Sequence, residues 1–501
     1  MRRAGPLDAA FFGLEAPGHP LHGMALMVLD PATVPGGYSF ARLRKFISSR
    51  LPGIPPLRQR PVLMPMSLAR PGWIDSNVEI ADHVIRHVHT GGTLRDVASY
   101  AARVASTPLD RTKPLWTMDV IEGLEDGMIA IVAKVHHSLM DGVAGMDFLA
   151  NMFSLRPEAD AIAAVDSGTR RAPKFTTRLA LTIPELVTMP VRLTTAMVGT
   201  SHAVWRLEAL VRRQGSLSLP RPPRMRWNGK LGDRRTIALA SVSLAEVKDI
   251  CHATGTTVND VVLSLLGGAC RTYLANHGEL PRESLVAVVP VSTHDSGSKQ
   301  HSYDTTVVDE SSRTGEGAAR ANRRPSVAKA ANAVSLLLST LGTDVSDPLE
   351  RLIVVHKAMV RAKRLHDALG ADTLTQWLAV SNALTLGAVA RIYLGLGVAA
   401  RAPLAANILV SNVPGPPVPL YFGGARLLSL YPLGPIYDGV GVNITVLSCE
   451  NALGFGIVSS PEVLDDSDAL GGNIGEELTA LHLACAARLG PGTRRVAPLE
   501  P

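Results

Sequence analysis

The sequence has little of the chemistry that cysteines and aromatic residues provide. Its four cysteines are scattered over 501 residues without a Cys-x-x-Cys spacing, at Cys251, Cys270, Cys449 and Cys485. We therefore expect free thiols in a reducing compartment and no zinc ribbon. Aromatic residues make up only 4% of the chain, so the core must be largely aliphatic.

Signature motifs of several large enzyme classes are also missing. The chain has no Walker phosphate loop, no dinucleotide fingerprint and no Gly-x-Ser-x-Gly elbow. It has no internal repeat either. The sequence thus gives no signal for a P-loop nucleotidase, a dinucleotide-dependent enzyme or a serine hydrolase of the elbow type.

Long apolar runs are absent as well. No stretch reaches the roughly 18–20 uninterrupted apolar residues that a membrane-spanning helix needs. The nearest approach, Ala383–Ala400, is interrupted by Arg391 and contains three glycines. The N-terminus has two arginines but lacks the apolar core of a signal peptide. The sequence therefore predicts a cytoplasmic protein whose contact with a membrane is peripheral.

What remains is the composition of an ordinary globular protein, with 46% hydrophobic and 19% charged residues. A chain of 501 residues is too long for one ordinary core, so two domains are expected. The net charge of +6 is modest for this length and does not suggest a nucleic-acid partner. A basic surface suits an anionic lipid or a nucleotide phosphate.

The clearest chemical signal is a pair of adjacent histidines. The apolar run Met128–Val135 ends at His136 and His137, and Asp141 and Gly142 follow. Apolar residues on both faces predict a strand buried on both sides. A neutral imidazole is suited to accept a proton near pH 7, and a nearby carboxylate can orient it. A structural turn and a metal site are the alternatives, although Asp141 is the only close candidate for a third metal ligand.

Three further histidines, His83, His87 and His89, form a second group. The segment Val78–His89 alternates Val or Ile with polar residues, which predicts a strand on which the three histidines share one face. One interpretation is a metal cluster. The other, which we favour, is a set of solvated or interdomain histidines.

The middle of the chain differs in composition from both ends. From Arg170 to Arg235 it contains 14 basic residues and three acidic ones. We predict a first domain over residues 1–165, a basic linker over 166–235 and a second domain over 236–490. The linker either only connects the domains or also forms an amphipathic basic surface for an anionic membrane or lipid droplet. Residues 295–327 are polar and predict a disordered insertion.

Two elements of the second domain carry polar groups at their ends. Thr257 and Asp260 have the spacing of a capping box, which predicts a helix that begins there, with Asn259 in its first turn. A strand-like stretch then leads into Ser411-Asn412-Val413-Pro414-Gly415-Pro416, a stiff turn that contains glycine.

The segment HHSLMDG resembles the HHxxxDG motif of the CoA-dependent acyltransferase superfamily. Further matches, in order from about residue 6 to 488, resemble the bacterial wax ester synthase/acyl-CoA:diacylglycerol acyltransferase family of the mycobacterial triacylglycerol synthase type. The resemblance implies an α/β fold of two chloramphenicol-acetyltransferase-like subdomains with an active-site channel between them. It also implies that His137 is the base and that Asp141 is mainly structural. His136 belongs to the motif but is not expected to take the proton.

The resemblance assigns further residues to substrate binding or site support. These are Gly142, Asn259, Asp260, Ser411, Asn412, Pro414 and Gly415. Of these, Asn259 is expected to face the site and Asp260 to start a helix. The resemblance implies no metal and no cofactor. Acyl-CoA takes part as a substrate.

The reaction implied by the resemblance is transfer of a long-chain acyl group from acyl-CoA to the hydroxyl of diacylglycerol, at a peripheral site on the inner membrane or a lipid droplet. One alternative is a wax ester synthase that uses a fatty alcohol. Another is a non-catalytic lipid-binding or droplet protein on the same fold. Departures from the family pattern at His294, Ala331 and Cys449 favour the non-catalytic alternative, whereas the intact His137 and Asp141 argue against it.

Overall fold

The computed structural model describes residues 1–15, 18–139, 148, 150–158, 172–185, 187–191, 194–195, 220–292, 334–369 and 406–489. The named helices in these ranges are α1 Pro6–Leu14, α2 Phe40–Arg50, α3 Ile80–His83, α4 Leu94–Ser106, α5 Leu244–Thr254, α6 Val258–Asn276, α7 Pro348–Leu369 and α8 Ser467–Leu489.

The strands in the same ranges form two six-stranded sheets and one three-stranded sheet. In chain order they are β1 Arg2–Arg3, β2 His22–Asp30, β3 Gln59–Val62, β4 Gly72–Asp75, β5 Val84–Gly92, β6 Trp116–Leu124, β7 Ile129–His136, β8 Thr236–Ser243, β9 Val286–Ser292, β10 Val334–Thr340, β11 Ile408–Val413, β12 Tyr421–Phe422, β13 Ala425–Leu433, β14 Asn443–Cys449 and β15 Ala452–Ser459.

The first large sheet has the order β12-β13-β2-β7-β6-β5. All neighbours in it are antiparallel except β5 and β6, which run parallel. Strand β7 lies in the interior of this sheet, with three strands on one side and two on the other. Most of its residues are buried, whichever face of the sheet they point to. The prediction of a doubly buried strand leading to the histidines is therefore confirmed.

The second large sheet has the order β10-β9-β11-β14-β15-β8 and is mixed in direction. Strand β11 is parallel to both of its neighbours, β9 and β14, while the outer pairs are antiparallel. Helices α6, α7 and α8 pack on one another and against this sheet. The second half thus has its own layered α/β core.

The two halves exchange structure. Strands β12 and β13 come late in the chain, yet β13 pairs with β2 and extends the first sheet. Helix α4, from the first half, places Val97, Ala98 and Ala101 in the large core cluster that also contains the second half's helices, and α4 contacts β8 directly. The domain ranges proposed from the sequence did not include this exchange.

Most helix boundaries follow signals that the sequence carries. Helix α4 begins after Thr93, whose hydroxyl accepts from the backbone of Asp96 while the Asp96 carboxylate accepts from Thr93. The side chain of Ser243 caps α5 in the same way, by accepting from Glu246 N. These caps satisfy backbone donors that the first turn of a helix leaves free.

One expected strand is wrong over part of its length. The alternation in Val78–His89 predicts a single strand, but residues Ile80–His83 form one helical turn and the strand begins only at Val84. The turn directs the ring of His83 into the protein, where Nδ1 lies 2.7 Å from the carbonyl oxygen of Trp116. This buried contact outweighs the local alternation.

Among the described residues, no helix is both long enough and apolar enough to cross a membrane. The apolar segment Leu374–Leu396, for which the sequence predicts helix, lies outside the described residues. So does the polar segment 295–327.

Candidate active site

The two adjacent histidines lie where β7 ends. His136 is the last residue of the strand and pairs with His22 of β2. His137 begins a short 3-10 turn, and its backbone N–H donates to the carbonyl of Leu21 at 2.9 Å. Backbone pairing with β2 therefore fixes the position of both residues.

Helix α1 covers the two imidazoles with two aromatic rings. Phe12 stacks on His136 at 4.6 Å between ring centroids, with 18° between the ring planes. Phe11 stacks on His137 at 4.3 Å and 7°. Because stacking fixes ring orientation as well as position, α1 sets the geometry of both imidazoles.

His136 is fully enclosed. It is 1% exposed, its Nδ1 lies 2.7 Å from Ser138 Oγ, and its Nε2 lies 3.4 Å from the carboxylate of Glu15. Because Nδ1 is bonded to Ser138, Nε2 is buried beside Glu15 and Phe12 covers one face, neither nitrogen of this ring is open to a substrate. The geometry gives His136 a supporting part.

Glu15 is the centre of a buried charge cluster beside the histidine pair. Its carboxylate contacts His22 Nε2 at 3.4 Å, His136 Nε2 at 3.4 Å and the guanidinium of Arg111. Burial alone would raise the pKa of Glu15, but the contacts with His136, His22 and Arg111 outweigh it and hold this pKa well below its usual range. The carboxylate is therefore ionised at neutral pH.

His137 has a different environment. Its ring is half-buried, and its Nδ1 is buried without a hydrogen-bond partner among the described residues. The ring lies deep enough in the protein that burial lowers the pKa of His137 to about 4; its own backbone carbonyl opposes this shift and the charge of His136 adds to it. His137 is neutral at pH 7.

Two residues that follow the pair in sequence, Asp141 and Gly142, lie outside the described residues. Their assignment to the site remains a prediction. Two of the departures from the family pattern, His294 and Ala331, also lie outside the described residues.

Asp260 and Asn259 lie in the first turn of α6. The Asp260 carboxylate accepts from the backbone and hydroxyl of Thr257 at 3.0 and 2.8 Å, which completes the capping box, and it lies 2.9 Å from Nδ1 of His356. Asn259 is half-buried, and its carboxamide has no hydrogen-bond partner among the described residues. Asp260 thus organises the helix start, while Asn259 keeps its hydrogen-bonding capacity.

The turn after β11 is held by an unusually close approach. The backbone N–H of Gly415 donates to Ser448 Oγ at 2.8 Å, and a Cβ on Gly415 would lie 1.8 Å from the carbonyl oxygen of Ser448. Only glycine fits there. Ser411 and Asn412 are half-buried at the end of β11, and Pro414 is exposed. Their part in the site remains a prediction.

The second histidine group does not come together. His83 is buried against Trp116. His87 Nε2 lies 2.9 Å from Asp119 and 2.7 Å from the Tyr100 hydroxyl. His89 is exposed beside Asp96. In the described part of the chain, no group of three or more His, Cys, Asp or Glu side chains could hold a metal ion.

The cysteines do not provide a nucleophile. All four are buried and unpaired. Burial raises the pKa of Cys251 and of Cys270 to about 12, and that of Cys449 to about 11. Thiols of this kind are not ionised at neutral pH and are unreactive.

Several residues around the histidine pair were missed by reasoning from the sequence. They are Phe11, Phe12, Glu15, His22, Arg111 and Ser138. They come from four separate stretches of the chain, and no spacing in the sequence connects them. Phe11 and Phe12 are adjacent aromatics in an aromatic-poor chain, which is the one signal that could have identified two of them.

Comparisons with known proteins agree over nearly the whole chain. The model of the wax ester synthase/diacylglycerol acyltransferase catalytic domain matches residues 5–262, and that of the WS/DGAT C-terminal domain matches residues 330–482. A Mycobacterium tuberculosis protein named as a diacylglycerol O-acyltransferase is 34% identical over 470 residues, which cover 93% of this chain and 87% of that protein.

Solved structures show the same likeness. The wax ester synthase/diacylglycerol acyltransferase from Marinobacter aquaeolei VT8 has a TM-score of 0.66 and 26% identity, covering 97% of this chain and 100% of that one. The first condensation domain of the calcium-dependent antibiotic synthetase, with a TM-score of 0.55, 15% identity and 100% coverage of both chains, shares the fold alone.

Proposed function

This chain belongs to the wax ester synthase/diacylglycerol acyltransferase family and is an O-acyltransferase, and we propose that it moves a long-chain acyl group from acyl-CoA to the hydroxyl of diacylglycerol. The two-subdomain fold of the chloramphenicol-acetyltransferase type, expected from the sequence, is confirmed by the same likeness. The identity of the acceptor is supported by the name of the mycobacterial relative.

The observation that carries the mechanism is the contrast between the two histidines. His136 is enclosed, with Nδ1 bonded to Ser138 and Nε2 buried beside Glu15, whereas His137 is partly exposed and neutral. Nδ1 of His137 is buried, and we infer that Nε2 is the nitrogen that faces the substrate. We therefore assign the role of general base to His137 and a supporting role to His136.

In the proposed reaction, His137 Nε2 accepts the proton of the acceptor hydroxyl as its oxygen attacks the thioester carbonyl. The tetrahedral intermediate collapses, the carbon–sulfur bond breaks, and the imidazolium returns its proton to the departing CoA thiolate. No acyl-enzyme is needed because a thioester is already activated. A positioned base contributes on the order of 10²–10⁴-fold, so alignment of the two substrates must supply much of the rest.

Charge that develops on the carbonyl oxygen needs a hydrogen-bond donor. The carboxamide of Asn259 is a candidate, because it is half-buried at the start of α6 and has no other hydrogen-bond partner among the described residues. The Thr257–Asp260 capping box fixes the turn that carries it.

The enzyme is proposed to work peripherally on the inner membrane or on a lipid droplet, where its acceptor is found.

Acceptor-dependent product formation tests this proposal. Purified protein is given a long-chain acyl-CoA with either diacylglycerol or hexadecanol, and the products are identified by mass spectrometry. Triacylglycerol as the main product supports the proposed acceptor, and wax ester as the main product would replace it with a fatty alcohol. Folded protein that makes neither product would favour the non-catalytic alternative.

Asn259→Ala in the same assay tests the proposed donor. We expect kcat to fall by about 10²–10³-fold.

A further inference from the structure

The basic segment between the two halves contains helical residues whose polarity is reversed. Residues 175–185 and 187–191 are helical. The side that faces the protein is polar: Arg178 donates to the carbonyl of Leu63 at 3.1 Å, and Glu185 lies 3.5 Å from Arg3 and 3.4 Å from Arg70. A surface helix of a globular protein normally turns its apolar side inward and its charges outward.

The opposite side of this helix is apolar and exposed. Its large residues recur at intervals of four, which places them along one slowly turning stripe: Phe175, Leu179, Ile183, Val187 and Val191. Val187 and Val191 are 70% and 68% exposed, values that a packed aliphatic side chain does not have. Single exposed apolar residues are common, but a continuous stripe marks a binding surface.

Most threonine hydroxyls of this segment, although not those of Thr176 and Thr177, bond to a nearby backbone carbonyl. Four threonines donate to the carbonyl four residues earlier, at 2.8 to 3.0 Å: Thr182, Thr188, Thr194 and Thr195. Two of the accepting carbonyls belong to Pro184 and Pro190. Hydroxyls bonded in this way need no water, which suits a helix that lies in an apolar medium.

A neighbouring loop adds a second apolar point. Met66 is 72% exposed, and both Met66 and Ser67 have positive φ, of 50° and 57°. This backbone conformation is unfavourable for residues other than glycine, so the fold must hold it in place. The loop adjoins the helix through the hydrogen bond between Arg178 and Leu63.

The charges on this side of the molecule favour an anionic lipid surface. The only acidic residue in the described part of the helix, Glu185, is neutralised by Arg3 and Arg70 on the inner side. Lys174 is exposed immediately before the helix. The outward side therefore presents an apolar stripe with no unpaired acidic residue among the described ones and with Lys174 at its start, a combination that suits a peripheral helix on an anionic bilayer.

We propose that the helical residues 175–185 and 187–191, together with the loop around Met66, form a docking surface that rests on an anionic phospholipid membrane. This inference rests on the proposed function, because a lipid acceptor would be drawn from that membrane. The surface is also linked to the site: Arg3 donates to the carbonyl of Leu181 and lies three residues before α1, whose Phe11 stacks on His137.

The test is binding of the full-length protein to vesicles of phosphatidylcholine with phosphatidylglycerol, measured by flotation. The variant Ile183→Asp/Val187→Asp places two charges in the stripe without touching the inner contacts. Its partition to vesicles is expected to fall at least about tenfold, because two apolar side chains no longer enter the bilayer. The matched control is Leu483→Asp on α8, which is equally exposed (64%) but distant in the fold and should bind like the wild type.

In the flotation assay, two results would overturn the proposal. One is wild-type protein that does not float with vesicles, and the other is a double variant that floats as well as the wild type. If the double variant instead changes only the molecular mass in solution, the stripe joins two copies of the chain and the proposal is also wrong. Acyl transfer between detergent-solubilised substrates is measured in parallel. Loss of vesicle binding with this activity retained supports the docking surface, whereas vesicle binding without any activity would refute the proposed function alone.

Discussion

At the scale of single residues, two neighbouring imidazoles differ because their surroundings differ. His136 is held by Glu15, Ser138 and Phe12. His137 stacks on Phe11 and the residue remains partly exposed. His136 ends the strand inside the core, whereas His137 begins the 3-10 turn that follows it.

The lowered pKa of His137 predicts the pH dependence of catalysis. The neutral imidazole is the active form, and burial keeps it neutral down to a pKa of about 4. We expect kcat/KM to be constant between about pH 6 and 8 and to fall only under acidic conditions, with a midpoint well below the ordinary histidine value of roughly 6.5. Intrinsic fluorescence at each pH verifies that the protein is still folded. A midpoint near 6.5 to 7 would contradict the assignment.

Glu15 is predicted to be a positioning residue. Glu15→Gln keeps the shape but removes the charge shared by His22, His136 and Arg111. Removing the carboxylate that pairs with the partly exposed Arg111 and lies beside both histidine rings is expected to lower the free energy of unfolding by about 1–3 kcal/mol at pH 7. Because folding lowers the pKa of Glu15, this contribution is present above its unfolded pKa of about 4.5 and is lost as the pH falls through the folded value.

Urea unfolding of wild type and Glu15→Gln at neutral and acidic pH measures this difference. The gap between the two proteins should narrow under acidic conditions. A gap that is the same at both pH values would mean that the side chain acts through shape and not through charge. In the folded variant, kcat should fall more than KM changes, because the imidazoles lose their alignment before substrate binding is affected.

The residue scale also shows what could be predicted from the sequence. The HHSLMDG segment identifies the histidine pair, and the resemblance assigns the base to His137. Glu15 and Arg111 give His136 an environment that differs from that of His137, and these two residues lie 96 positions apart in the chain. Such contacts arise from tertiary packing, and a single sequence carries no periodicity that reveals them.

At the scale of elements, short stiff segments keep the proposed site in place. The turn after β11 depends on Gly415, since a Cβ there would clash with the carbonyl of Ser448 at 1.8 Å and with Leu447 at 2.8 Å. Backbone atoms cannot move aside as the end of a side chain can. The close approach therefore ties the end of β11 to the end of β14.

Gly415→Ala tests this element. We expect a loss of about 3 kcal/mol in the free energy of unfolding, at the upper end for overpacking because the obstacle is backbone. The matched control is Gly472→Ala in α8, where an added Cβ meets nothing within 4 Å. That change should be neutral or stabilising by about 0.5–1 kcal/mol. Equal midpoints of thermal unfolding for the two variants would disprove the claim that the turn needs glycine.

Elements were predicted well where a cap or a strong pattern marks them. Helix α6 begins where the capping box of Thr257 and Asp260 predicts. Residues Ile80–His83 were wrongly expected to be strand, because burial of His83 against Trp116 overrides the alternation. For the basic linker, the sequence left open a plain connection and an amphipathic basic surface, and it could not show which side of the helical residues faces the protein.

At the scale of the whole molecule, the two halves depend on one another. Strand β13 pairs with β2 along seven positions, and α4 contributes to a core shared with the second half. Without β13, the edge of β2 would be open to pairing with other chains. A linear division of the sequence into two domains therefore does not describe two independent folding units.

We accordingly expect a fragment of residues 1–235 to aggregate when it is expressed alone, and to become soluble when residues 236–501 are expressed with it. Size-exclusion chromatography of the separate and combined fragments measures this. The expectation follows from the open edge of β2 and from the exposed core face of α4. A soluble, monomeric 1–235 fragment with native-like circular dichroism would show that the exchange contributes little.

The strand exchange could not have been predicted from local patterns. Residues 425–433 alternate like any strand, and nothing in them indicates which sheet they join. The overall fold class was predictable because the family resemblance extends over most of the chain. The pairing of distant strands is decided by the total burial of both halves together.

The central claim is that His137 and not His136 takes the proton, and acceptor-dependent release of CoA thiol from His137→Ala and His136→Ala tests it most directly. We predict that His137→Ala stays folded and loses about 10²–10⁴-fold in kcat. His136→Ala should lose stability, since Glu15 is left without one of its partners. His252→Ala, at an exposed position on α5, is the matched control and should behave like the wild type. A folded His137→Ala protein with full activity would contradict the account.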